Sequence, residues 1–162
     1  MLETFALANG EFQLRRATEA DVPAMVELLA NDPLRAAAES VAPEDRGPYL
    51  DAFRAVDGDT AHLLCVVVDG AGFVAATMQL TFLPGLARRG ATRLQIEAVR
   101  VHERLRGQGL GSAMIAWAVQ EGGRRGVALV QLSSDAARPE AHRFYRRLGF
   151  IQSHAGFKLQ LL

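Results

Sequence analysis

The run Leu94-Gln-Ile-Glu-Ala-Val-Arg-Val-His-Glu-Arg-Leu-Arg-Gly-Gln-Gly-Leu-Gly-Ser-Ala-Met114 changes character twice. Leu94, Ile96 and Ala98 alternate with Gln95, Glu97 and Val99, the period of a strand. Gly107, Gly109 and Gly111 then allow a tight turn in which backbone approaches a ligand with no Cβ in the way. From Leu110 the apolar positions Leu110, Met114, Ile115, Trp117 and Ala118 follow helical spacing. Strand, glycine turn and helix start together make an anion site. The first N–H groups of a helix lack intrahelical acceptors, and its dipole is positive at that end. Arg104 and Arg106 stand beside it and add charge-assisted donors.

Two phosphate readings compete for this turn. A dinucleotide fold would place a pyrophosphate on the glycines, Val127–Leu132 as the next strand and Asp135 on the ribose. Against it, the spacing is G-x-G-x-G rather than G-x-G-x-x-G, and only about a third of the chain follows, too little for the second half of such a fold. Two arginines also precede the first glycine, which that fingerprint does not require. A P-loop is excluded because no Gly-Lys-Ser or Gly-Lys-Thr occurs.

The second reading rests on resemblance. Arg106-Gly-Gln-Gly-Leu-Gly111 resembles the R/Q-x-x-G-x-G/A acetyl-CoA motif of the GNAT superfamily of N-acetyltransferases. Arg138-Pro-Glu-Ala-His-Arg-Phe-Tyr-Arg-Arg-Leu-Gly-Phe150 resembles that superfamily's later motif, where an A-x-x-(F/L)-Y helix runs into Gly-Phe and a strand. The two lie in the right order, with a helix and a strand between them. The similarity in element order extends from about Glu11 to Leu161. It implies a mixed α/β GNAT fold: a central, mostly antiparallel sheet of six to seven strands flanked by about four helices. A splay between the Glu97 strand and the Val127 strand would admit coenzyme A.

Composition sets the outer bounds. The 162 residues suit one domain, 1–162, with a sizeable core. An apolar fraction of 49% and a charged fraction of 22% are ordinary for a globular protein. There is no basic leader with a long apolar run, and no stretch near the roughly 20 residues needed to span a bilayer, so a cytoplasmic protein with no membrane partner is expected. Net charge is zero but unevenly spread. Residues 1–87 hold 5 arginines against 13 acids, and residues 88–162 hold 12 arginines and Lys158 against 5 acids. The balance runs from −8 to +8. An anionic ligand suits the second half, and a cationic amine suits the first. Many of these charges also serve simply to solvate helix faces. A pI near 6.9 and few aromatics in the basic half argue against nucleic acid.

Elsewhere the chain is legible in pieces. Residues 1–10 read as a loose or edge segment. Phe12, Leu14 and Arg16 begin a strand, and Thr18 caps a helix with Asp21 in the capping-box place. That helix stops near Asn31-Asp32-Pro33. The Leu34–Gly58 segment is the least regular, with Tyr49, Leu50, Phe53 and Val56 on a short helix. In GNAT folds the matching region often lines the acceptor site, although a core role suits Tyr49 and Phe53 better. His62–Val68 and Phe73–Phe82 form a hairpin about Asp69–Gly72, and Pro84–Gly90 is an irregular connection. Gly126 closes the long helix, and Val127–Leu132 reads as a continuous buried strand. Pro139 opens the last helix, with Ala141, Phe144, Tyr145 and Leu148 on its apolar stripe and Gly149 at its end. Ile151–His154 and Phe157–Leu161 read as two final strands.

The resemblance also implies roles. Glu97 matches a strand glutamate often assigned as general base; the plainer reading is a carboxylate paired with Arg93 or Arg100. Tyr145 matches the tyrosine that protonates the departing thiolate; the plainer reading is a core aromatic. Val99, Arg100 and Val101 would pair through their backbone with the pantetheine arm. Arg106, Gly107, Gln108, Gly109, Leu110, Gly111 and Ser112 would hold the pyrophosphate. Arg138 stands where the superfamily often has Asn, and Arg143 reads as a solvated helix arginine. The implied co-substrate is acetyl-CoA, the implied acceptor a small-molecule or peptide amine, and dimers are common among similar proteins. No metal is expected, since His62, His102, His142 and His154 are scattered. His102 stands close enough to the turn to be a substrate-side group. Cys65 sits in an apolar run and reads as core.

Overall fold

The computed structural model of the protein describes residues 1–34 and 36–161. The chain falls into two compact units, Met1–Gln131 and Leu132–Leu162. The first begins with strands β1 (Glu3–Leu7) and β2 (Gly10–Arg16), so the N-terminal segment is an edge strand. Helix α1 (Val22–Ala30) follows, then α2 (Arg46–Asp57), β3 (His62–Asp69), β4 (Val74–Leu83) and a single turn, α3 (Ala87–Gly90). Strand β5 (Arg93–Val101), helix α4 (Leu110–Arg124) and strand β6 (Leu129–Leu132) complete it. The sheet order is β1 to β6 in sequence, and each of the first four pairings is antiparallel. Strands β5 and β6 meet at their starts, where Ala128 N–H, just before β6, donates at 2.9 Å to the O of Thr92, just before β5. Gln131 Nε2 donates to Gln95 Oε1 at 2.8 Å, so the two strands run parallel.

Helices cover both faces of this sheet. Cys65, Val66, Val67 and Val68 are all buried, and successive strand side chains point to opposite faces. Val66 and Val68 pack with Val22, Met25 and Val26 of α1 and Phe53 of α2. Helix α4 packs on β5 and β1, burying Leu110, Met114, Ile115, Trp117 and Ala118. Each such large side chain contributes roughly 1.5–3 kcal/mol. The periodicity read from Leu110 onward is therefore the core-facing side of α4.

Local chemistry sets the ends. The Asp21 carboxylate accepts the Thr18 N–H at 2.7 Å, the reach-back bond of a capping box, and also accepts the Thr18 hydroxyl at 2.8 Å. A single 3-10 turn, Glu19–Asp21, intervenes before α1. Helix α4 ends in a Schellman motif. Gly126 is left-handed (φ 69°), its N–H reaches Gly123 O, and the Val127 N–H reaches Gly122 O.

The second unit holds α5 (Pro139–Arg147), with Pro139 in its first turn and left-handed Gly149 (φ 89°) past its end. Its bonds from Gly149 N–H to Arg146 O and Phe150 N–H to Tyr145 O repeat the same motif.

Among the described residues the sheet has six strands, within the expected six to seven, but the two final strands read at Ile151–His154 and Phe157–Leu161 do not form: residues 151–161 hold no regular element and are exposed. Apolar alternation in Phe157, Leu159 and Leu161 supplies a strand's face, but a strand exists only through its pairing. Leu129–Leu132 is half-buried rather than fully buried. Among the described residues there are five helices where about four are expected, the fifth being the single turn at Ala87–Gly90, in which Arg88 and Arg89 are left-handed. No helix among the described residues is long and apolar enough to cross a membrane.

Candidate active site

Strand β5 does not keep its alternation. Glu97 pairs with Gln79, but the next partnered residues are Arg100 and Thr77. Two residues of β5, Ala98 and Val99, thus stand against one of β4, Met78. This is a β-bulge, and Ala98 takes φ 51°, a left-handed conformation that a residue with a Cβ adopts at a cost. A bulge bends the strand and takes local amides out of the ladder. Period-two reading fails at Ala98 because nothing in alanine signals a left-handed residue.

Below the bulge, β5 runs through a 3-10 turn, Glu103–Leu105, into the glycine turn. Gly107 (φ 74°) and Gly109 (φ 93°) are both left-handed, and Gly109 is the N-cap of α4. Gly111 lies inside the helix instead. The N–H groups of Leu110, Gly111 and Ser112 emerge at the start of a 15-residue helix, where no earlier carbonyl can reach them. The Leu110 side chain is buried, so only its backbone is available there.

The side chains around the turn brace it. Gln108 Nε2 donates to Arg104 O at 2.6 Å, while its Oε1 accepts Asn9 Nδ2 at 2.6 Å. Arg106 is exposed, and its Nε donates back to Val101 O at 3.1 Å. His102 Nδ1 accepts the Arg104 N–H and caps the 3-10 turn. Phe73 packs edge-on against His102 and lies under the Arg104 guanidinium at 5.2 Å. His102 is thereby occupied as a turn cap. The backbone N–H groups of the α4 start, with two exposed arginines just before them in sequence, make this turn a candidate anion site.

Glu97 is exposed and, among the described residues, makes no ion pair. The Arg100 guanidinium binds Asp32 instead, at 2.7 Å, so the Glu97–Arg100 pairing of the plainer reading does not form. In the second unit Tyr145 is half-buried on α5 between Phe144 and Phe150, with ring centroids 5.1 and 5.9 Å away. Arg138 is the N-cap of α5, and its O accepts the His142 N–H. Arg143 faces solvent beside Glu140.

Other candidates resolve into structure. Phe53 is core, as the plainer reading held. Tyr49 packs on that core and uses its hydroxyl at a small pocket bordered by Glu27, Ser40 and Arg46. The hydroxyl donates to Glu39 Oε2 and accepts the Ser40 N–H, both at 2.9 Å. The Cys65 thiol is fully buried, and desolvation pushes it up to about 12, so it is no nucleophile. The dinucleotide alternative fails on topology, since that fold needs a mostly parallel sheet and β1 to β5 pair antiparallel.

Comparison with known families decides the matter: the acetyltransferase (GNAT) family model matches residues 23–150. The chain belongs to the GNAT family. Among solved structures, a transcriptional regulator from Bacillus halodurans C-125 is 39% identical, with a TM-score of 0.89 over 93% of this chain and 99% of that one. A predicted acetyltransferase with acetyl-CoA from Clostridium acetobutylicum is 16% identical, with a TM-score of 0.70 over 93% of this chain and 96% of that one; that likeness is one of fold. An aminoalkylphosphonate N-acetyltransferase from Salmonella typhimurium is 43% identical over 63 residues. That match takes in 39% of this GNAT chain and 41% of the relative. GNAT acetyltransferases use acetyl-CoA.

Proposed function

We propose that the protein transfers the acetyl group of acetyl-CoA to a primary amine by direct attack in a ternary complex. The observation that carries this reading is the continuity of the bulged strand β5 with the glycine turn and the α4 N-terminus. The pyrophosphate belongs on the N–H groups of residues 107–112 with Arg106 beside them. The pantetheine arm then runs along Val99–Val101 as an added strand. This brings the thioester to the bulge.

The chemistry has three demands. A lysine-like amine has a pKa near ~10.4 and attacks only when neutral. Glu97, exposed and outside any ion pair among the described residues, takes the ammonium proton directly or through one water. The nitrogen adds to the thioester carbonyl, and a backbone N–H freed by the bulge stabilises the oxyanion. The C–S bond then breaks, Tyr145 supplies the thiolate's proton, and the second proton shed by the attacking nitrogen as the amide forms returns to the tyrosinate through water. The assignment of Tyr145 rests on its place in the Arg138–Phe150 motif.

The acidic half of the chain, −8 over residues 1–87, favours a cationic acceptor. Aminoalkylphosphonates belong in the first acceptor panel because of the 63-residue match. The reading places the protein in the cytoplasm, with acetyl-CoA. A thiol-release assay over a panel of amines tests it. Acetyl-CoA consumption that depends on one amine, with the acetylated amine found by mass spectrometry, supports the reading. A second reading, a non-catalytic acetyl-CoA sensor, is favoured by the 39%-identical structure described as a transcriptional regulator. It requires binding of acetyl-CoA without turnover of any amine.

A further inference from the structure

Arg100 lies two residues beyond Ala98, and its guanidinium spans two parts of the structure. Nη1 donates to the Val99 carbonyl at 2.8 Å, and Nη2 donates to Asp32 Oδ2 at 2.7 Å. Asp32 is 3% exposed, just past the end of α1. Its other oxygen accepts the Leu34 N–H at 3.2 Å, and its backbone O accepts the Ala36 N–H at 2.8 Å. One planar cation therefore joins the bulge carbonyl to the first residues of the α1–α2 connection. Arginine suits the task because its fork serves two acceptors in fixed directions; a lysine ammonium does not.

The bulge needs such a grip. A left-handed alanine is strained, and strained residues persist only where their surroundings over-determine them. The Val99 carbonyl and the Arg100 N–H belong to one planar peptide group, so holding the oxygen orients the amide as well. We propose that Arg100 is a positioning residue: anchored by Asp32, it holds the 99–100 peptide and the bulge at Ala98 in the orientation that presents the strand's amides to the thioester. This rests on the acetyltransfer reading above. It also ties the bulge to the connection where acceptor-binding residues are expected, so that displacement of Asp32 is transmitted to the reacting end of β5.

Truncating either partner would strand a buried charge, so the test uses conservative changes. Arg100→Lys keeps the charge and loses the fork. Asp32→Asn keeps the shape and the Leu34 acceptor. Ala98→Gly accepts φ 51° without strain and is combined with Arg100→Lys. The readouts are kcat, the KM for acetyl-CoA, and amide hydrogen exchange over residues 96–101. Arg100→Lys is expected to lower kcat about tenfold, leave the acetyl-CoA KM within about twofold, and speed exchange over that segment. In the Ala98→Gly background the loss on Arg100→Lys is expected to shrink below about threefold, because the strain being resisted is gone. Unchanged kcat and exchange in both Arg100→Lys and Asp32→Asn would overturn the assignment, as would an equal loss with and without Ala98→Gly. So would failure of both to fold while Ala98→Gly folds, which would mark the pair as a stability element. If the wild-type protein acetylates no amine, the acetyltransfer reading fails, and the exchange data alone then decide whether Arg100 holds the bulge.

Discussion

Ala98 shows how much a single residue decides. Its left-handed φ turns a regular strand into a bulged one, and the exposed carboxylate of Glu97 stands immediately before it. Glu97→Gln keeps size and polarity but removes the base. It should lower kcat by roughly 10²-fold while acetyl-CoA binding stays within about twofold, as steady-state kinetics and calorimetry would show. Unchanged kcat would remove Glu97 from the chemistry. Tyr145→Phe should likewise lower kcat without weakening acetyl-CoA binding. Asp21 makes a structural prediction at the same scale. The Arg15 guanidinium at 2.7 Å, with the Thr18 N–H and hydroxyl, outweighs burial and holds its carboxyl down at about 2. A depressed carboxyl stabilises the fold above its unfolded pKa, near ~3.9, and loses that contribution as pH falls through its folded value. Asp21→Asn should therefore lower Tm at neutral pH, and the gap from wild type should narrow below about pH 4 and close near pH 2. A gap independent of pH would show that the charge is not what matters.

At the scale of elements, α4 is held against β5 through a glycine. A Cβ on Gly122 would meet Val127 Cγ2 at 3.0 Å, Leu94 Cδ2 at 3.1 Å and Val130 Cγ2 at 3.4 Å, whereas on Gly123 it would meet nothing within 4 Å. Gly122→Val should destabilise by about 1–3 kcal/mol through overpacking. Gly123→Ala should be neutral or stabilise by up to about 1 kcal/mol through helix propensity. Equal effects in urea denaturation would contradict the close approach. The elements also show what a sequence carries. Helix α4 is legible because its stripe, its left-handed N-cap glycine and its C′ Gly126 are each set by local sterics. The Thr18–Asp21 cap is legible for the same reason. The bulge is not, because alanine carries no mark of φ. Two final strands are read where none form, because alternation in Phe157–Leu161 says nothing about a partner. The Arg100–Asp32 pair joins positions 68 apart in sequence, and neither residue type signals the other.

For the whole molecule, the charge division and the glycine turn point to the same ligand. The second half of the chain is +8, and its candidate anion site has the backbone N–H groups of the α4 start with Arg104 and Arg106 just before them in sequence. Binding of a polyanionic cofactor there should weaken several-fold as ionic strength rises from about 0.05 M to about 0.5 M, where screening shortens to a few ångströms. The glycine motif and the Arg138–Phe150 motif are enough to read the family from sequence, because each is a local device with a fixed spacing. The acceptor is not readable, because no motif of fixed spacing in the chain marks an amine site, and the short 3-10 turns at Ala36–Ala38 and Pro43–Asp45 carry no periodic signal. The most direct test of the central claim is calorimetric titration of the purified, CoA-free protein with acetyl-CoA, with NADPH and ATP as controls. Saturable binding of acetyl-CoA alone, weakening with salt, is the predicted result. No acetyl-CoA binding by protein shown to be folded, or binding of NADPH in its place, would contradict the account.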